Sequence, residues 1–242
     1  MNVTDYYYSQ IFPVAAGATS TAAGYSPNNV LNTSVLRPWR SVTTTGEYIA
    51  IDLGSVINIV AVALQACNFS AAHLNKDGFA FLAASTPVNE DGKGRRKNLF
   101  EVPGTSTRNI YIAPDGTPVD GSSYYSIGAV YIFGAKRTMP RAPLYGGAEV
   151  TYGCPQSSID LDNGKTVMDF TGPTFANVTL PFSGGAGDDM EQLSADAQSG
   201  IVWITLGSNG LQWPMRSYES KITRRLQAFN REQVQSVLKE EV

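Results

Sequence analysis

Residues 46–69 read GEYIAIDLGSVINIVAVALQACNF. Gly46 to Leu53 alternates apolar and polar positions and ends at Gly54, the pattern of a strand with one face on a core. Ile57 to Gln65 is a denser apolar run, explained by a strand buried on both faces. Further strands are expected at Gly78 to Ala83, at Ile110 to Ala113 and over SYYSIGAVYIFG, Ser123 to Gly134. Between them, STPVNEDGKGRRKN (85–98) has the Pro, Gly and charge content of a surface loop. Its GKGRRK run is read as a solvated tip rather than a phosphate site.

Composition removes several function classes. The chain has 242 residues, 43% of them hydrophobic and 16% charged, which is globular rather than disordered. A net charge of -3 gives no surplus of cations for a nucleic acid backbone. One histidine and two cysteines exclude a multi-histidine metal cluster and a Cys-rich zinc site. No apolar run reaches the ~20 residues of a membrane span. The opening MNVTDYYYSQIF lacks the basic and apolar regions of an export signal. Cys67 and Cys154 are therefore expected as free, buried thiols, and the N-x-S/T sequons at Asn2, Asn32, Asn68 and Asn177 as chance occurrences. Neither a cofactor nor a metal is implied.

After residue 134 the pattern changes. AKRTMPRAP (135–143) carries three cations and two prolines and is expected to be a linker. In SIDLDNGKTVMDF (158–170), Asn163-Gly164 between two alternating runs marks a hairpin. Asp160 and Asp162 imitate the start of a calcium loop, but the later acid such a loop needs is missing. FANVTLPF (175–182) is a strand. Asp188 as N-cap, Glu191 three residues on and the stripe Met190, Leu193 and Ala197 predict a helix ending at Gly200. The acids there are capping groups rather than a catalytic pair. Ile201 to Leu206 is a buried strand. From Ser220, the positions Ile222, Leu226, Phe229, Val234, Val237 and Leu238 approximate one face of a C-terminal amphipathic helix.

Candidate functional residues are few. His73 has no nucleophile motif beside it and is expected at a loop or strand end. Trp39, flanked by Arg37 and Arg40, is either a core plug or a ring platform for a ligand such as a sugar. Tyr6, Tyr7 and Tyr8 either anchor an interface or form an edge strand.

YSPNNVLN, RPWRS and the 46–69 stretch, in that order, resemble the galactose-binding-like (discoidin, coagulation factor 5/8 C-type) jelly roll. Asn29-Val30-Leu31, Trp39 to Ser41, Gly46 to Gly54 and Ile57 to Leu64 carry the match, and GAVYIFG (128–134) looks like its closing strand. The variant is similar to that of bacteriophage virion proteins, on Asn68-Phe69 and on Tyr125 to Gly134. The resemblance implies a mainly β fold: a jelly-roll β-sandwich over 1–134, a small α+β domain over 143–216 like those of tail hubs, and the helix over 217–242. It implies a non-enzymatic structural protein of a tailed-phage tail tip or baseplate, made in the host cytoplasm. Its partners would be other virion proteins in a homo-oligomeric ring, without nucleic acid or membrane insertion. The interface would use Tyr6, Tyr7, Tyr8, Ile222, Leu226, Phe229 and Leu238. The alternative is a carbohydrate-binding module for host-surface attachment, using Trp39, Arg40 and Tyr48. A glycan hydrolase would need two acids flanking a cleft, and no spacing supports that.

Overall fold

The computed structural model describes residues 4–32, 35–85, 88–89, 96–139, 149–153, 156–160, 166–170, 175–183, 187–206, 211–216, 223–227 and 231–240. The strands of the first half are β1 (Thr4–Ile11), β2 (Ala15–Ala18), β3 (Trp39–Arg40), β4 (Ile49–Cys67), β5 (Phe69–Lys76), β6 (Ala80–Ser85), β7 (Val88–Asn89), β8 (Arg96–Pro118), β9 (Ser126–Ile127) and β10 (Ala129–Met139). Then follow β11 (Glu149–Gly153), β12 (Gln156–Asp160), β13 (Thr166–Phe170), β14 (Phe175–Ser183), helix α1 (Gly187–Ser199), β15 (Val202–Leu206), β16 (Leu211–Arg216), β17 (Thr223–Gln227) and β18 (Arg231–Glu240).

The protein is mainly β, and its first half is a jelly-roll β-sandwich. The two runs within 46–69 form one bent strand, β4, paired along its length with the longer β8. The register shifts between Asp52 and Ile57, around Gly54 at φ +79°. A side chain there would adopt a left-handed backbone and press on Val14, 3.1 Å from an ideal Cβ. Before the bend, Ile49, Ile51 and Leu53 enter the sandwich core. After it, the two faces diverge. Ile59, Val62 and Leu64 stay in that core, whereas Ala61 and Ala63 join a second cluster with Tyr7, Tyr131, Phe133, Ile201 and Trp203. Burial on both faces accounts for the unbroken apolar run.

Trp39 fills the sandwich core and is fully buried. Its Nε1 donates to the Ser20 carbonyl at 3.2 Å, so burial strands no polar atom. Beside it lies Glu47, also buried, whose carboxylate accepts hydrogen bonds from Thr19 (2.6 Å), Ser20 (2.8 Å) and Thr43 (2.6 Å). Burial pushes this carboxyl up, but the three hydroxyls outweigh it and hold Glu47 below the usual glutamate range. Gly128 starts the closing run where the chain packs tightly against β4. A Cβ there would lie 2.8 Å from that of Ala66 and 3.1 Å from the Gln65 carbonyl.

Strand order in the main sheet is β11-β14-β18-β16-β15-β1-β10-β4-β8-β5-β6. The N-terminal strand therefore lies inside the sheet. Tyr6 pairs with Arg137 on one side and Ile204 on the other. Residues 135–139, expected to begin a linker, instead extend β10, because β1 supplies their backbone partners. Lys136 bridges Asp5 (3.0 Å) and Glu101 (2.9 Å) across this junction. Of the expected linker prolines, Pro140 and Pro143 lie outside the described residues.

In the second half, α1 and β15 match the expectation, with Leu193, Ala197 and Ile201 to Ile204 buried. β12 and β13 form the expected hairpin, Asp160 opposite Thr166, and its turn 161–165 lies outside the described residues. The expected C-terminal helix is not formed in the described part. Residues 223–227 and 231–240 are strands. β18 pairs with β14 on one side and with β17 and β16 on the other. Backbone partners on both sides override the weak helical preference of a short amphipathic segment.

Trp39→Ala should cost about 3 to 5 kcal/mol, the range for deleting a large buried ring, read from urea unfolding at neutral pH. Glu47, with a lowered folded pKa, contributes stability present above the unfolded value of about 4.3 and lost as pH falls through the folded one. In Glu47→Gln the fall in urea midpoint between pH ~6 and ~3 should be shallower than in the parent. An equal fall in both proteins would remove Glu47 from the acid response.

Candidate functional site

The two-residue strand β3 separates two neighbouring side chains by alternation. Trp39, opposite Ile127, points into the core, and Arg40, opposite Ser126, points out of it. The Arg40 guanidinium stacks over two rings, 4.1 Å from the centroid of Tyr25 and 4.9 Å from that of Tyr124. Its Nε is buried and has no hydrogen-bond partner among the described residues. Buried polar atoms are rarely left so. Arg40 opens on a cavity of about 290 Å³ with Pro38, Asn68, Asp120, Tyr124 and Ser126 in its walls. Leu36, 62% exposed, adds an apolar rim.

Asn68 holds this site together. Its Nδ2 donates to Ser122 Oγ at 2.8 Å and to the Tyr124 carbonyl at 3.0 Å, and its Oδ1 accepts from the Ser126 amide at 2.7 Å. Asn68 is almost fully buried, so its sequon is closed to a modifying enzyme in the folded chain. Burial pushes the Asp120 carboxyl up, yet Ser122 and Asn68 outweigh it and keep it below the usual aspartate range. The site thus offers a delocalised cation, a fixed carboxylate and aromatic faces, which suits a neutral or polar ligand bearing hydroxyls.

The expected ligand residues Trp39, Arg40 and Tyr48 do not meet. Trp39 is core. Tyr48 is half-buried beside Phe79 and Tyr111 rather than in the Arg40 cavity. Tyr25, Asn68, Asp120 and Tyr124 are site residues the sequence reading missed. Alternation in SYYS is the signal that could have found Tyr124, since the adjacent Tyr125 is buried and donates to the Gly116 carbonyl at 2.6 Å.

Of the expected interface residues, the three tyrosines have partners within the chain. Tyr6 and Tyr7 are buried between β10 and β15. The Tyr6 hydroxyl donates to Asp196 at 3.0 Å, and that of Tyr7 to Glu101. Burial first, and then those carboxylates, push both phenols well above their ordinary value. Tyr8 is half-buried, under the Arg137 guanidinium. Leu226 and Leu238 lie on β17 and β18, while Ile222 and Phe229 fall outside the described residues. Cys67 is a free, buried thiol, and Cys154 lies outside the described residues. Among the described residues no group of three or more His, Cys, Asp or Glu side chains is placed to hold a metal ion.

No protein-family model matches the chain, and no curated relative matches it. Among solved structures it is similar to the family 32 carbohydrate-binding module of Clostridium perfringens NanJ in complex with galactose. The identity is 13%, the match covers 55% of this chain and 99% of that one, and the TM-score is 0.43. It is similar to the family 32 module of AlyQ in complex with 4,5-unsaturated mannuronic acid, at 22% identity over 53% of this chain and 100% of that one, with a TM-score of 0.42. A Streptococcus pneumoniae fucose-binding module matches at 12% identity over 53% and 96% of the two chains, with a TM-score of 0.40.

Asn68→Ala strands the Ser126 amide and frees the 120–126 loop. The expected cost is about 1–3 kcal/mol, with faster amide exchange at Val119 and Ser126 than elsewhere in the sandwich. Uniform protection along the chain would show that the loop is held by other means.

Proposed function

We propose that this protein is a non-catalytic carbohydrate-binding module whose ligand occupies the Arg40 cavity. The observation that carries this reading is the Arg40 guanidinium, stacked on Tyr25 and Tyr124 at the wall of a cavity that also holds the Asp120 carboxylate. A sugar presents hydroxyl acceptors to such a donor and hydroxyl donors to a carboxylate like Asp120, and its C–H face packs on rings such as Tyr124. The Asn68 network fixes the loop before any ligand arrives, which lowers the ordering cost of binding. Sugar ligands in the solved modules agree with this proposal, which stands on the cavity itself.

Attachment to a host surface is the role such a module serves on a virion. The tail-tip or baseplate placement, with other virion proteins as partners, remains a proposal about where the module works, checked by mass spectrometry of purified particles. Of the residues expected to supply assembly surfaces, Tyr6 and Tyr7 are enclosed within this chain.

Calorimetry with galactose, fucose and an oligomannuronate should show binding of at least one sugar. Arg40→Ala should weaken it about 10- to 100-fold, as for loss of charge-assisted hydrogen bonds, without a matching loss of thermal stability. Binding unchanged in both Arg40→Ala and Tyr124→Ala would overturn the assignment to this cavity.

A further inference from the structure

A second group of aromatic rings stands on the solvent face of the β4–β8–β5–β6 sheet. Ile49, Ile112 and Leu74 point from these strands into the core. Their neighbours, one residue along, point outward. Tyr111 pairs with Ala50 on β4 and Asn75 on β5, and Asn75 with Phe81 on β6. The next outward row holds Ala113 opposite His73.

Phe79 folds back onto this face. Its ring stacks on Tyr111 at 4.2 Å between centroids and 26° between planes. Tyr48 meets both rings edge-on, at 5.3 Å and 5.7 Å. Phe79 has φ +59°, a left-handed backbone that a bulky side chain seldom adopts, yet the residue is 52% exposed. Core packing does not explain a strained backbone that displays a ring to water. Strain of this kind is characteristic of ligand clamps. Phe81 beside it is 65% exposed.

Farther along β8 from Tyr111 lies a cavity of about 490 Å³ lined by Thr44, Thr45, Glu47, His73, Asp115 and Tyr125, among others. Tyr48 follows Glu47 in the chain, and Tyr111, Ala113 and Asp115 continue along one face of β8. At the cavity wall His73 Nδ1 lies 2.5 Å from Asp115 Oδ2, with both side chains partly exposed. An apolar shelf therefore meets hydroxyl, imidazole and carboxylate groups at one end.

We infer that Tyr48, Phe79 and Tyr111, with His73 and Asp115, form a second binding site, for a neutral sugar ring within a polysaccharide. The ligand must have an apolar face and hydroxyls on its rim, which a pyranose has. Charge argues against an anionic lipid surface. Arg108, on this sheet, is held by Asp52 at 3.0 Å, and the carboxylates of Asp77 and Asp115 border the shelf. The site shares no lining residue with the Arg40 cavity. It does not depend on that cavity binding sugar, and two sites on one module would add avidity for a polymer.

The test is amide and aromatic-ring NMR of the full chain titrated with cellohexaose, laminarihexaose and a β-1,4-galactohexaose. At least one should shift the signals of Tyr48, Phe79 and Tyr111, and should do so equally in Arg40→Ala. Phe79→Gly removes the ring and relieves the left-handed backbone, so it should fold at least as well as the parent. It and Tyr111→Ala should weaken binding at this face about tenfold or more. No shift at these rings with any of the three probes, or shifts that survive in both variants, would overturn the inference. Binding of these rings to phosphatidylserine vesicles with no response to the oligosaccharides would also overturn it. Failure of the Arg40 reading looks different: shifts or affinity at the Arg40 cavity alone are absent or insensitive to Arg40→Ala.

Discussion

The pairing of β4 with β8 is the constraint on which the rest of the sandwich depends. Through the bend at Gly54 the two strands carry one hydrogen-bonded ladder around a corner of the fold. That corner lets one stretch of chain line the sandwich core first with Ile49 and Ile51, and then with Ile59, Val62 and Leu64. It also turns Ala61 and Ala63 outward, where small side chains leave room for Tyr131, Phe133 and Trp203 to pack. Both described cores and both candidate sites are referenced to this ladder. Asn68 follows the end of β4, Tyr48 precedes its start, and Tyr111 pairs with its second residue, Ala50.

Much of this was legible because burial imposes period and density on a strand. GEYIAIDL and INIVAVALQ differ in density, and the structure shows one buried face for the first and two for the second. α1 was legible from Leu193 and Ala197 at helical spacing, and Trp39 from its place among apolar runs. The C-terminal segment misled for the opposite reason. Val234, Val237 and Leu238 fit a coarse helical stripe, but long-range pairing with β14 and local pairing with β17 place this segment in the sheet. The same applies to residues 135–139, where Lys136 and Arg137 mimic a linker yet pair with Tyr7 and Tyr6 over a hundred residues earlier in the chain.

The sites were less legible than the fold. In RPWRS, Trp39 and Arg40 serve opposite sides of strand β3. The ring partners of Arg40, Tyr25 and Tyr124, come from other segments of the chain and are not visible in the motif. The ring neighbours of Tyr48, Phe79 and Tyr111, come from a turn and a strand the motif does not include. Periodicity finds which face a ring occupies, while convergence of three segments on one point is a property of topology.

The internal position of β1 bears on how the chain acquires its structure during synthesis. Thr4–Ile11 leaves the ribosome well before its partners, residues 132–139 and 203–205. Until those are made, a strand bearing three tyrosines has both backbone edges unpaired. Contacts this distant close late and slowly, since the intervening loop must be ordered before they form. A nascent chain that stalls between these segments holds an exposed, aromatic β-edge, the feature most prone to pair with another copy.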